Sequence, residues 1–91
     1  MHALIIYDIS DERKRNTIAI LFSNYGIRIQ KSAFLFHLPS VKWDELIMKL
    51  SRIEIESTES VAIFRLCSEC ATRAESSGDE LDFLKKNTFI I

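Results

Sequence analysis

The sequence predicts an α+β fold with elements in the order strand, helix, strand, strand, helix, strand. Three observations carry that prediction. Short apolar runs rich in strand formers recur near residues 3–9, 27–38 and 61–66. Two stretches between them place apolar residues at i, i+3, i+4 and i+7, the period of a half-buried helix. Two glycines and one proline are the only strong breakers in 91 residues, so each stretch runs long enough to form an element.

The first strand is Ala3-Leu4-Ile5-Ile6-Tyr7-Asp8-Ile9. Ser10 stands at the expected N-cap of the first helix, with Asp11 and Glu12 placed to complement its dipole. Ile18, Leu21, Phe22 and Tyr25 form that helix's buried stripe, and Gly26 ends it at a position that favours left-handed geometry. Two strands follow, around Ile27-Arg28-Ile29 and Phe34-Leu35-Phe36, with the bend at Gln30-Lys31-Ser32. Pro39-Ser40 opens the second helix, whose apolar stripe is Trp43, Leu46, Ile47, Leu50 and Ile53. Glu45 and Lys49 make an i,i+4 pair on its wet side. Glu54 to Ser60 reads as a loop, and Val61 to Leu66 as the fourth strand. This order is the ferredoxin-like βαββαβ plan, with two helices on one face of a four-stranded antiparallel sheet. Residues 1–70 make that domain; residues 71–91 are a tail ending in a further strand, Thr88-Phe89-Ile90-Ile91.

The first strand is apolar on both faces, with Leu4 and Ile6 on one and Ile5, Tyr7 and Ile9 on the other. Two helices cover one face only, so a second cover is required. A second copy in a two-fold homodimer supplies it economically, with residues 88–91 adding to the partner's sheet. The alternative is a tail folded back on its own sheet.

Composition bounds the function. Hydrophobic residues make up 47% of the chain, which excludes a disordered or low-complexity segment. The longest apolar run, Ala3 to Tyr7, is far short of the ~20 residues of a membrane span. No signal peptide is visible, and two cysteines are too few for a disulfide framework, so a cytoplasmic protein is expected. The net charge of −1 hides an asymmetry. Residues 1–52 carry eight Lys/Arg and five Asp/Glu, a surplus of +3, while residues 53–91 carry four and eight, a deficit of −4. The basic half can meet phosphates through a local patch, or be a solvated surface.

Asp8 is the first candidate for chemistry. A carboxylate at the mouth of an apolar strand is costly unless hydrated, paired or bound to a cation. Near a two-fold axis it would face its own symmetry mate, and Mg²⁺ suits such a pair. The alternative is a strand-end residue that helps cap the first helix. Arg13, Lys14 and Arg15 form a basic first turn that opposes the helix dipole, and Arg28 and Lys31 follow Gly26. Together they could neutralise a phosphate, or be a solvated face. Cys67-Ser68-Glu69-Cys70 has redox or metal spacing but no second pair, a weak signal. No glycine-rich phosphate loop or nucleophile elbow is present.

Tyr7-Asp8-Ile9, Arg13-Lys14-Arg15, Tyr25-Gly26-Ile27-Arg28-Ile29-Gln30, Ser32, Phe34 and Phe64-Arg65-Leu66-Cys67 stand in one characteristic order. In this the chain resembles the small CRISPR-associated endoribonuclease family, the second core protein of spacer acquisition. The resemblance implies a ferredoxin-like homodimer whose terminal strands pack on the partner. It also implies a metal-dependent (Mg²⁺, possible Mn²⁺) endonuclease acting on RNA or, in some members, double-stranded DNA. Asp8 matches the family's metal-binding aspartate, and Arg13, Arg15 and Arg28 its basic positions. Tyr7, Gln30, Ser32 and Phe34 match positions around the interface. Many members have an acidic residue directly after the motif phenylalanine, where this chain has Leu35; if that acid assists, activity here is weak. The resemblance implies a CRISPR integrase subunit as partner, and with it an alternative: a non-catalytic scaffold that bridges integrase dimers and holds DNA.

Overall fold

The computed structural model describes residues 1–67, which form β1 (His2–Asp8), α1 (Glu12–Ser23), β2 (Ile27–Gln30), β3 (Ala33–His37), α2 (Ser40–Ser51) and β4 (Ser60–Leu66). The element order and type agree with the sequence reading. The sheet order is β2-β3-β1-β4, with every neighbouring pair antiparallel. The expected terminal strand at 88–91 and Cys70 lie outside the described residues.

β1 is the central strand and is apolar on both faces, as its sequence demands. Ala3, Ile5, Tyr7 and Ile9 pack with Phe34 and Phe36 of β3 under Ile18 and Phe22 of α1 and Trp43, Leu46 and Leu50 of α2. The rings interlock edge to face: Phe22 meets Phe34 at 5.5 Å and Phe36 at 5.4 Å between centroids, and Phe36 meets Trp43 at 6.2 Å. Such geometry sets the positive ring edge against the negative face and adds to simple area burial. Leu4, Leu35, Phe64 and Leu66 form a second buried cluster with Ile6, Ile29 and Ala62 on the sheet's other face. Leu35 lies opposite Leu4 in the β1–β3 register. Position 35 is therefore apolar core in this chain.

Three local expectations are corrected. The N-cap of α1 is Asp11, not Ser10: the Asp11 carboxylate accepts from the Arg13 amide at 3.0 Å and the Lys14 amide at 3.5 Å. Gly26 does not adopt a left-handed conformation, since no glycine among the described residues has positive φ. Its reason is space, because a Cβ there would lie 2.5 Å from the Leu35 carbonyl oxygen and 2.6 Å from the Phe36 ring. Glu45 and Lys49 do not pair directly. The Tyr25 hydroxyl donates to Glu45 at 2.7 Å and accepts from Lys49 at 2.8 Å, tying the end of α1 to α2. Glu45's ion pair is with Lys42, at 3.6 Å.

Candidate active site

Asp8 ends β1 on the helix-free face and is exposed. Its backbone pairs with Ser60 of β4. No hydrogen bond or ion pair holds its carboxylate among the described residues, and the capping role open to it in the sequence belongs to Asp11. The chain turn after Asp8 brings α1 back over the sheet, and the β2–β3 turn closes from the other side. The Tyr7 amide donates to the Ser32 carbonyl at 3.0 Å, so that turn is fastened to the end of β1.

Between these two turns lies a cleft of about 420 Å³ lined by Tyr7, Asp8, Ile9, Arg15, Asn16, Ala19, Arg28, Lys31 and Ser32. Residues far apart in sequence thus line one cleft: the strand-end Asp8, the basic Arg15, Arg28 and Lys31, and Tyr7. The Arg15 guanidinium donates to the Ile9 carbonyl at 3.2 Å, and that of Arg28 donates to the Lys31 carbonyl at 2.6 Å. Each bond fixes a guanidinium by one edge and leaves the rest of its donor fork available for an anion. Arg28 also lies over the Phe34 ring, 5.5 Å from its centroid. Phe34 is 1% exposed and acts from the core beneath Arg28. Gln30 closes β2 at the edge of the sheet.

Tyr7 is 2% exposed, and among the described residues its hydroxyl has no hydrogen-bond partner. Burial pushes its pKa above the ordinary value, against the opposing pull of the nearby Arg28 guanidinium, which approaches the hydroxyl without completing a well-formed hydrogen bond, and of the Arg15 charge. The phenol therefore keeps its proton at neutral pH and has a donor to spare.

Two of the five expected basic residues are not in the cleft. Arg13 is exposed outside it. Lys14 pairs with Glu59 at 2.7 Å, so its charge is committed to the fold. Glu59 lies in the expected loop and is buried there, its side chain 1% exposed. The Lys14 ammonium and then the Glu56 amide pull the Glu59 carboxyl down from an ordinary 4.5 to about 2. Its stabilising effect is present above pH 4.5 and is lost only as pH falls toward about 2. Little local marks Glu59 in the sequence, because four of its five donors lie 45–49 residues away. Pairing β4 with β1 would have found it, as the residue before Ser60 falls beside the chain leaving Asp8.

The family described as CRISPR associated protein Cas2 matches this chain over residues 1–74. The chain belongs to the Cas2 family. It is 39% identical over 80 residues to the CRISPR-associated endoribonuclease Cas2 1 of Chloroflexus aurantiacus, covering 87% of this chain and 86% of that relative. It is 33% identical over 67 residues to a CRISPR-associated endonuclease Cas1/endonuclease Cas2 fusion of Thermoproteus tenax, covering 72% of this chain and 25% of the fusion. The crystal structure of Streptococcus pyogenes Cas2 at pH 6.5 superposes with a TM-score of 0.72 at 26% identity, covering 86% of this chain and all of that one. Among the described residues, no helix is long and apolar enough to cross a membrane.

Proposed function

We propose that this Cas2-family chain is a Mg²⁺-dependent endonuclease of CRISPR spacer acquisition, cutting RNA phosphodiesters and working beside an integrase subunit. The observation that carries the reading is the cleft itself. Asp8, exposed and without a partner among the described residues, lines one cleft with Arg15, Arg28, Lys31 and Tyr7, whose buried hydroxyl is unsatisfied there. Relatives named endoribonuclease and a fusion to Cas1 support the reaction class and the partner.

The donor set fits a hard, strongly hydrated ion. One carboxylate per chain, without histidine in the cleft, matches Mg²⁺ or Mn²⁺, which take remaining ligands from water and phosphate oxygens. When bound, such an ion supplies Lewis-acid polarisation of the phosphate and a more acidic water. Asp8 would hold it. Arg15, Arg28 and Lys31 bind the non-bridging phosphate oxygens, and their charge offsets what develops there as water attacks phosphorus. The Tyr7 hydroxyl donates to one of those oxygens. The test is cleavage of RNA and duplex DNA with each ion. Mg²⁺ and Mn²⁺ are expected to support cleavage of RNA, while Zn²⁺ and EDTA abolish it. Cleavage in EDTA would overturn the metal requirement.

We further propose that the working unit is a homodimer. The sheet carries an apolar cluster on each face, and the described helices belong to one of them only. Sedimentation at micromolar concentration should give about twice 10.5 kDa; a folded monomer would overturn this part.

A second reading, a DNA-bridging scaffold for the integrase, draws on Leu35 and on the fusion relative. Leu35, where the resemblance implies a frequent acid, is core here, and if that acid assists catalysis this chain lacks it. Phosphate binding by Arg15 and Arg28 serves this reading equally.

A further inference from the structure

Glu59 accepts five hydrogen bonds with two oxygens. Oε2 takes the Ser10 amide and hydroxyl at 3.1 Å each and the Asp11 amide at 3.3 Å. Oε1 takes the Lys14 ammonium at 2.7 Å and the Glu56 amide at 3.0 Å. Three of these partners, Ser10, Asp11 and Lys14, belong to the turn after β1 and the start of α1, next to the candidate active site. Ser10 and Asp11 follow Asp8 in the chain, and Lys14 adjoins Arg15. Glu59 itself precedes Ser60, the cross-strand partner of Asp8. One carboxylate thus ties the strand bearing Asp8, the turn leaving it and the first turn of the helix bearing Arg15.

We infer that Glu59 is a positioning residue for this site, setting the distance between the Asp8 carboxylate and the Arg15 guanidinium without touching substrate or metal. Stability alone is a poor reason for a charge at this place. Buried ion pairs are commonly replaced by apolar side chains of similar volume at no loss of stability, whereas an apolar pair accepts nothing from Ser10 or Asp11. A carboxylate alone among side chains accepts at both ends; an amide would turn a donor toward either the Ser10–Asp11 amides or Lys14. What the charge supplies is therefore fixed geometry in the β1–α1 turn. Displacements near 1 Å in a catalytic constellation lower rates by on the order of a hundredfold.

The inference rests on the metal-dependent nuclease reading, and its test keeps the two apart. Glu59→Asp keeps the charge but is one methylene too short to span both groups of donors. The Glu59→Leu/Lys14→Met double variant removes both charges and leaves no ammonium unpaired. Proton-shift dispersion and melting temperature report the fold of each. Mg²⁺ is titrated while the Asp8 amide is followed by NMR, and RNA turnover is split into kcat and KM. In both variants the Mg²⁺ concentration at half-saturation is expected to rise at least about fivefold and kcat to fall about tenfold or more, with the fold retained. Parental Mg²⁺ response and kcat in either folded variant would overturn the positioning role. So would Mg²⁺ response and kcat that follow the melting temperature alone, falling and recovering with it across the two variants. A parent chain whose Asp8 amide ignores Mg²⁺ overturns the metal reading, and the positioning role falls with it.

Discussion

Asp8→Ala is expected to lower RNA cleavage by about a hundredfold or more while leaving the chain folded. The loss follows from the cleft having one carboxylate; without it, the ion's electrostatic share of transition-state stabilisation is gone. That share is worth several kcal/mol, and each ~1.4 kcal/mol is a factor of ten in rate. The fold should tolerate the change because Asp8 is exposed, ends its strand and holds no partner among the described residues. Asp11 caps α1 and Glu59 anchors the turn, so neither duty falls on Asp8. The measurement is turnover of one RNA substrate by parent and variant purified identically, with thermal melts alongside. Cleavage that survives the substitution would mean that another group, or another protein, does the chemistry. Asp8→Asn sorts the two functional readings, because it keeps shape and removes charge. If it abolishes cleavage in vitro yet leaves spacer acquisition intact in cells, the scaffold reading stands and the nuclease is dispensable for acquisition.

The architecture was legible because it depends on period and sign. The short apolar runs of β1, β3 and β4 and the helical stripe at Trp43, Leu46 and Leu50 are local properties of the chain, and the structure keeps them. The two-sided character of β1 was legible for the same reason, and the two clusters repeat it residue for residue. What failed were assignments that depend on neighbours distant in sequence. Ser10 and Asp11 are both good caps; Glu59 decides between them by taking the Ser10 hydroxyl at 3.1 Å, which leaves Asp11 to cap. Gly26 answers to the Leu35 carbonyl across the sheet rather than to its own φ. Lys14 looked like its neighbours Arg13 and Arg15 until a buried carboxylate met it from the far side of β1. The cleft itself was half legible. Motif order named Asp8, Arg15, Arg28 and Ser32, but only the β2–β3 turn, fastened to Tyr7, brings them to one place.

Tyr7→Phe is expected to move stability and function in opposite directions. The hydroxyl is buried without a partner, a state that costs about 1–3 kcal/mol when a polar group gives up water and gains nothing. Phenylalanine keeps the ring that meets Phe22 at 5.7 Å and Phe34 at 6.3 Å, so the packing survives. A gain near 1 kcal/mol should raise Tm by roughly 4–8 °C in a domain of this size. The same substitution removes a donor that the proposed site offers to a phosphate oxygen. A hydrogen bond to a charged acceptor contributes roughly 1.5–3 kcal/mol, so kcat/KM for RNA should fall by about ten- to a hundredfold. Ordinary core substitutions do not behave this way, since a loss of packing lowers Tm and activity together. An orphaned polar group beside a cleft calls for an explanation, and a donor kept for a ligand is the one this substitution tests. Melting curves and steady-state cleavage on one preparation check both halves. A lower Tm would show that the hydroxyl has a partner in the folded chain. A higher Tm with unchanged kcat/KM would show that it serves no substrate, and would leave Arg15, Arg28 and Lys31 as the phosphate donors of the cleft.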